Sequence, residues 1–139
     1  MNYQLEHVAI YCKDINESIK FYEKFFAGQP TAIRKGAAGY GFCFMKIAGS
    51  PSIQLMESAG EVGVHHYGFV TDDVEQVAKD FREKGAQIVR ENRDPSGKLT
   101  TIFVKDSKRV RNGNQVAPLV GIYLLRWLWA CYTQLFPVT

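Results

Sequence analysis

Two histidines open apolar runs: His7 in Leu5-Glu6-His7-Val8-Ala9-Ile10 and His66 in His65-His66-Tyr67-Gly68-Phe69-Val70. A third run, Ser52-Ile53-Gln54-Leu55-Met56-Glu57, carries an amide at Gln54. Two imidazoles and an amide oxygen on rigid strands are a usual donor set for one divalent ion: nickel, zinc, cobalt, manganese or iron. The plain alternative makes each histidine a satisfied sheet residue and Gln54 an exposed polar group. The metal reading gains from the repeat in which the two histidines sit.

Laying residue n on residue n+59 pairs His7 with His66, Ala9 with Gly68, Ile10 with Phe69, Asp14 with Asp73, Ile15 with Val74 and Tyr22 with Phe81. Each half then reads as a strand, an aspartate that starts a helix, the helix, and further strands. Ile15, Ile19, Tyr22 and Phe26 recur at helical spacing, as do Val74, Val77, Ala78 and Phe81. Gly28 and Gly85 are the expected helix stops. Strand-like runs follow at 31–35, 40–47 and 52–57 in the first half and at 87–93 and 99–105 in the second, separated by Gly- and Pro-containing turns. One such half cannot bury both its surfaces, so the two are expected to share a concave face.

Side chains alternate across a strand. If Val8 and Ile10 meet the first helix, His7, Ala9 and Tyr11 point to the concave side; by the same rule Tyr67 and Phe69 meet the second helix while His66, Gly68 and Val70 face the concavity. Gln54 follows His7, whereas His65 and Glu57 point away. Tyr11, Tyr40, Phe42 and Phe44 are the aromatic residues expected to line a substrate cavity, although aromatics in strands also serve as plain core.

The bulk numbers set the frame. At 139 residues, 46% hydrophobic and 22% charged, the chain has ordinary globular composition, enough for one compact domain. A net charge of +3 is spread thinly, and the cluster Lys105, Lys108, Arg109, Arg111 reads as a solvated turn, so nucleic-acid binding is disfavoured. Cys12, Cys43 and Cys131 lack metal-knuckle or redox-pair spacing and suit a reducing compartment. The polar N-terminus does not read as a signal peptide, and the expected location is the cytoplasm.

These residues resemble the vicinal oxygen chelate superfamily, which contains glyoxalase I, methylmalonyl-CoA epimerase, extradiol dioxygenases and the bleomycin and fosfomycin resistance proteins. The resemblance covers about residues 3 to 106 and rests on LEHVAIYCKDINESIKFYEKFF, SIQLMES and HHYGFVTDDVEQVAKDFREKGAQIV. It implies an α+β fold of two repeated βαββ(β) modules forming an open, cup-shaped mixed sheet, often completed in a homodimer. It implies metal ligands at His7, Gln54 and His66, and a fourth, a glutamate, in the last strand. That position falls at about Gly113, so the fourth ligand is absent, and with it the carboxylate that would move a proton beside a carbonyl.

The organisation expected is a first module over 1–60, a second over 61–111 that lacks its usual last strand, and an atypical apolar tail over 112–139. In the tail Val120, Leu124, Trp127, Leu128, Cys131 and Leu135 make one helical stripe, and Arg126 at mid-length argues against a membrane anchor. The tail is therefore expected to be an extra C-terminal helix that substitutes for the missing strand.

Three functions compete at this point. One is a glyoxalase-like, metal-dependent lyase or isomerase acting on a small carbonyl compound, thiol adduct or acyl thioester, for which no catalytic residue is assigned. The others are a non-catalytic small-molecule binding protein of the bleomycin-resistance kind, and a ring-cleaving dioxygenase.

Overall fold

The structure is a computed structural model that describes residues 2–36, 38–61, 63–106 and 119–124. In chain order the elements are β1 (Gln4–Cys12), α1 (Ile15–Phe26), β2 (Gln29–Pro30), β3 (Arg34–Lys35), β4 (Gly41–Lys46), β5 (Ser52–Glu57), β6 (Val64–Thr71), α2 (Val74–Glu83), β7 (Ile88–Arg93), β8 (Leu99–Lys105) and β9 (Leu119–Leu124). This is the expected α+β content, in which one helix follows the first strand of each half. The described residues form two compact units, Glu6–His65 and a second made of 2–5, 66–106 and 119–124. No helix among the described residues is long and apolar enough to cross a membrane.

In the first unit β5 is central. It runs parallel to β1, with Ala9 opposite Gln54, and antiparallel to β4, with Phe44 opposite Gln54. Both short strands β2 and β3 pair with β4. The expected strand over 31–35 is thus split. Pro30 has no N–H to give, and at Thr31 the side chain joins the ladder: its hydroxyl accepts from Phe44 N at 2.9 Å while Thr31 N donates to Phe44 O at 2.8 Å.

Helix α1 begins at Asp14, whose carboxylate accepts from the backbone N–H groups of Asn16 and Glu17 at 2.9 and 3.1 Å. Its apolar side packs Ile15, Ile19 and Tyr22 against Ile10, Cys12, Cys43, Ile53 and Leu55. Phe26, expected in that stripe, is instead 52% exposed, as are Phe21 and Phe25 at 50% and 63%. The Phe26 ring stands beside those of Phe21 and Tyr22, with centroids 6.2 and 5.8 Å away. The left-handed residue that ends α1 is Ala27 at φ 50°, not Gly28. Gly28 is required for room, since a Cβ there would stand 2.5 Å from Met45 Sδ.

In the second unit β9 lies between β6, to which it is parallel, and β8, to which it is antiparallel; β7 completes the sheet beyond β8. The Asp73 carboxylate caps α2 by accepting from Gln76 N at 3.0 Å, and Gly85 at φ +81° follows the helix. Val74, Val77 and Ala78 of α2 pack on Phe69, Ile102, Val104, Val120, Ile122 and Leu124.

Strand β9 corrects the expectation of a helix over this part of the tail. Leu119–Leu124 supplies a last strand to the second half, with Val120, Ile122 and Leu124 toward α2 and Gly121 and Tyr123 on the other face. An apolar run six residues long is read as strand or helix by its neighbours, and here two unpaired strand edges are available to it. Residues 125–139, the rest of the expected helix, lie outside the described residues, as does Gly113.

Candidate metal and substrate site

Alternation within each unit puts the expected residues on the face away from the helix. In the first unit that face carries His7, Ala9 and Tyr11 from β1, Gln54 and Met56 from β5, and Phe42 and Phe44 from β4. His7 is fully buried. Its Nδ1 donates to the Glu6 carboxylate, and the Phe44 ring meets the imidazole edge-on with centroids 5.4 Å apart. A carboxylate against Nδ1 is the usual arrangement behind a metal-binding histidine.

About 13 Å along the strand from His7, as four strand residues imply, the same face opens into a cleft of about 310 Å³ lined by Tyr11, Tyr40, Phe42, Met56, Glu57 and Glu61 among others. Burial, and after it the charge and hydrogen bond of Glu61, push the Tyr11 phenol above its ordinary range. His65 packs edge-on against Tyr11 at 5.4 Å, and burial lowers its pKa, an effect that Glu61 opposes. Three of the four aromatic residues expected at the substrate cavity therefore line one cleft. Phe44 lies instead against His7. The Glu57 carboxylate is turned toward the helix side, where it accepts from Ile15 N at 3.2 Å.

In the second unit the corresponding face carries His66, Phe103, Gly121 and Tyr123. His66 is 4% exposed. Phe103 meets both His66 and Tyr123 edge-on, at 5.7 and 5.9 Å between centroids. The Tyr123 hydroxyl lies 3.3 Å from His66 Nε2 and donates to it when the ring carries its own proton on Nδ1. Tyr123, Phe103 and Glu6 were not singled out from the sequence. Glu6 is adjacent to a candidate ligand, which is a usable signal; Tyr123 had none while its segment read as helix.

Strand register also places the position equivalent to Gln54. Gln54 stands opposite Ala9 on β1, and Gly121 stands opposite Gly68, the repeat partner of Ala9, on β6. The last-strand position is therefore Gly121 rather than about 113. The chain between β8 and β9, 106–118, is eight residues longer than its counterpart 47–51, which accounts for the whole displacement. The expected glutamate is still missing, because glycine has no donor.

Among the described residues no three His, Cys, Asp or Glu side chains gather as a metal cluster. The fit of a divalent ion rests on donor chemistry: a buried His7 with Nδ1 engaged, the Gln54 amide on the same face, and a buried His66 whose Nε2 faces a phenolic oxygen. Imidazole nitrogen and amide oxygen are donors that suit the borderline first-row ions, and each unit carries donors of that kind on the face away from its helix.

No curated protein matches the sequence. Among solved structures, a hypothetical protein from Bacillus halodurans is 19% identical with a TM-score of 0.66, the match covering 89% of this chain and 95% of that one. Methylmalonyl-CoA epimerase from Mycobacterium tuberculosis is 17% identical with a TM-score of 0.64, covering 86% of each chain. The Streptomyces coelicolor methylmalonyl-CoA epimerase, solved in complex with 2-nitronate-propionyl-CoA, is 21% identical with a TM-score of 0.63, covering 87% of this chain and 96% of that one. At these identities the likeness is one of fold. The sequence profile of the Glyoxalase/Bleomycin resistance protein/Dioxygenase superfamily matches residues 4–113, and the chain belongs to that superfamily.

Proposed function

We propose that the protein is a metal-dependent isomerase or lyase of this superfamily, acting on a small carbonyl compound, thiol adduct or acyl thioester. The observation that carries the reading is His7: fully buried, on the face away from the helix, with Nδ1 tied to Glu6. In this reading His7, Gln54 and His66 hold one divalent ion of nickel, zinc, cobalt, manganese or iron. When bound, the ion supplies Lewis-acid stabilisation of the negative charge that develops on a substrate oxygen as the neighbouring carbon loses its proton. Glu6 keeps His7 in the donor tautomer. Tyr11, Tyr40 and Phe42 exclude water from the apolar part of the substrate and orient it.

The fold likeness to methylmalonyl-CoA epimerases makes 2-methyl acyl thioesters the first substrates to screen, followed by 2-oxoaldehyde–thiol adducts. The reading includes a homodimer, for which the exposed row Phe21, Phe25 and Phe26 on α1 offers apolar surface. It also includes a reducing, cytoplasmic setting, consistent with the free thiols of Cys12 and Cys43.

A second reading has a specific observation in its favour. The cleft beside Tyr11 joins aromatic faces to the carboxylate of Glu61, with no lysine or arginine among its described lining residues. That chemistry suits a cationic aromatic ligand held without turnover, as in a sequestering protein. Elemental analysis of tag-free protein beside a His7→Ala/His66→Ala double variant separates the two. About one divalent ion per chain, lost in the double variant, is the result expected of the enzyme. Absence of metal after incubation with each of the five ions overturns it and leaves the binding protein.

A further inference from the structure

We infer that Arg90 anchors an oxyanion of the ligand, a carboxylate or phosphate group held by both prongs of its guanidinium. The inference takes from the proposed function only that the face away from the helix meets a small molecule, and it adds that this molecule is an anion. Every residue in it belongs to the second unit.

Strand β7 sorts its charges by face. On the side of α2, Arg82 of the helix pairs with Glu91, and Arg93 pairs with Glu75 and Glu91. Arg90 is turned the other way by a bulge. Ile88 stands opposite Val104, which packs toward α2, yet Arg90 stands opposite Phe103, so Val89 is an extra residue in the ladder. In unbroken register Arg90 would face Ile102 and the helix. Bulges of this kind re-aim a side chain, and here the side chain is an arginine sent to the face of His66 and Tyr123.

On that face its contacts are neutral. Arg90 Nε donates to Asn92 Oδ1 at 3.0 Å, and its Cζ lies 5.7 Å from the centroid of the Phe103 ring, which in turn meets His66 edge-on. The two contacts fix the plane of the guanidinium and engage neither Nη. Both Nη groups remain as the fork that matches the paired oxygens of a carboxylate or phosphate. Arg82 and Arg93 each hold a carboxylate, whereas Arg90 has none among the described residues. Nor does β6, β7, β8 or β9 place a carboxylate on this face, while Lys105 follows Phe103 by two residues on the same side. An anion arriving there meets positive charge and no repulsion from the sheet.

The test uses the tag-free full chain, labelled with nitrogen-15, titrated at fixed ionic strength with sodium malonate, inorganic phosphate and the neutral malonamide. Malonate or phosphate is expected to shift the Arg90 Nε–H signal and the backbone amides of Asn92 and Phe103 to saturation, and malonamide to leave them still. The tighter of the two anions identifies the group as carboxylate or phosphate. Arg90→Gln is expected to weaken that binding about fivefold, the worth of one well-placed exposed ion pair. Arg90→Lys, which keeps the charge but loses the fork, should also bind more weakly than the wild type. Equal affinity in Arg90→Lys, equal shifts at Arg82 and Arg93, or no saturable shift overturns the inference. Elemental analysis of the same samples separates this from the enzyme reading: metal without anion binding sinks the role of Arg90 alone, and anion binding without metal sinks the enzyme alone.

Discussion

Replacing Gly121 with alanine perturbs the surroundings of His66 without removing a single polar atom. The backbone at 121 has no left-handed φ, so alanine fits the strand, and the whole effect comes from its methyl group. That methyl would meet Tyr123 Cε2 at 2.6 Å, closer than carbon atoms approach, and the ring must swing away. The swing gives up the hydroxyl contact to His66, worth about 0.5–1.5 kcal/mol, and the edge contact to Phe103, worth about 0.5–1.5 kcal/mol. Against this, alanine in a strand is favoured over glycine by about 0.5–1 kcal/mol. The expected net result is a loss of about 1 kcal/mol in urea unfolding followed by circular dichroism. In a Tyr123→Ala background there is no ring to displace, and the same substitution should stabilise by about 0.5–1 kcal/mol. The sign must reverse between the two backgrounds. Equal stabilisation in both would show that the ring does not lie over Gly121, and the reasoning about His66 would fall.

Asp14→Ala should cost about 1 kcal/mol by leaving the N–H groups of Asn16 and Glu17 unpaired, and lower the melting temperature by about 4 °C; Asp14→Asn should keep most of both. Leu55→Ala, at a fully buried position under α1, should cost about 2–5 kcal/mol in the same unfolding assay. Burial pushes the Cys43 thiol up to about 11, so the unfolded chain loses this proton first as the solution becomes alkaline. The contribution of Cys43 to stability is complete below its ordinary value of 9.0 and is lost as pH rises toward 11; a Cys43→Val variant should lack this part of the alkaline decline.

The elements that were legible in the sequence are those whose period is local. Ser52–Glu57 and Leu99–Lys105 were expected at the same residues where they are found, and both helix starts follow from an aspartate before an apolar stripe. The face of His7, Ala9 and Tyr11 followed from alternation alone. What sequence did not disclose depends on partners distant along the chain. Phe26 has helical spacing but stays half exposed beside Phe21 and Tyr22, and Pro30 with Thr31 interrupts a run that looks continuous. Leu119–Leu124 is as apolar as a buried helix and becomes a strand because β6 and β8 leave a slot for it. The candidate ligands His7, Gln54 and His66 were visible as residue types at repeat positions. The contact of Tyr123 with His66 was hidden, because it comes from a strand that the sequence reads as helix.

The position of β9 also sets an order of events during synthesis. In the first unit each strand pairs within residues 6–65 as these emerge, so its sheet can form early. The second unit has a gap: β6 is finished at Thr71 and β8 at Lys105, but the strand that joins them ends only at Leu124. At about 5–20 residues per second, about 1–4 seconds pass in which two apolar edges stand open with nothing between them. Premature closure of β6 on β8 would expel β9 and with it Tyr123. The late strand is therefore the point at which fast elongation or a holding chaperone would most improve the yield of native chain.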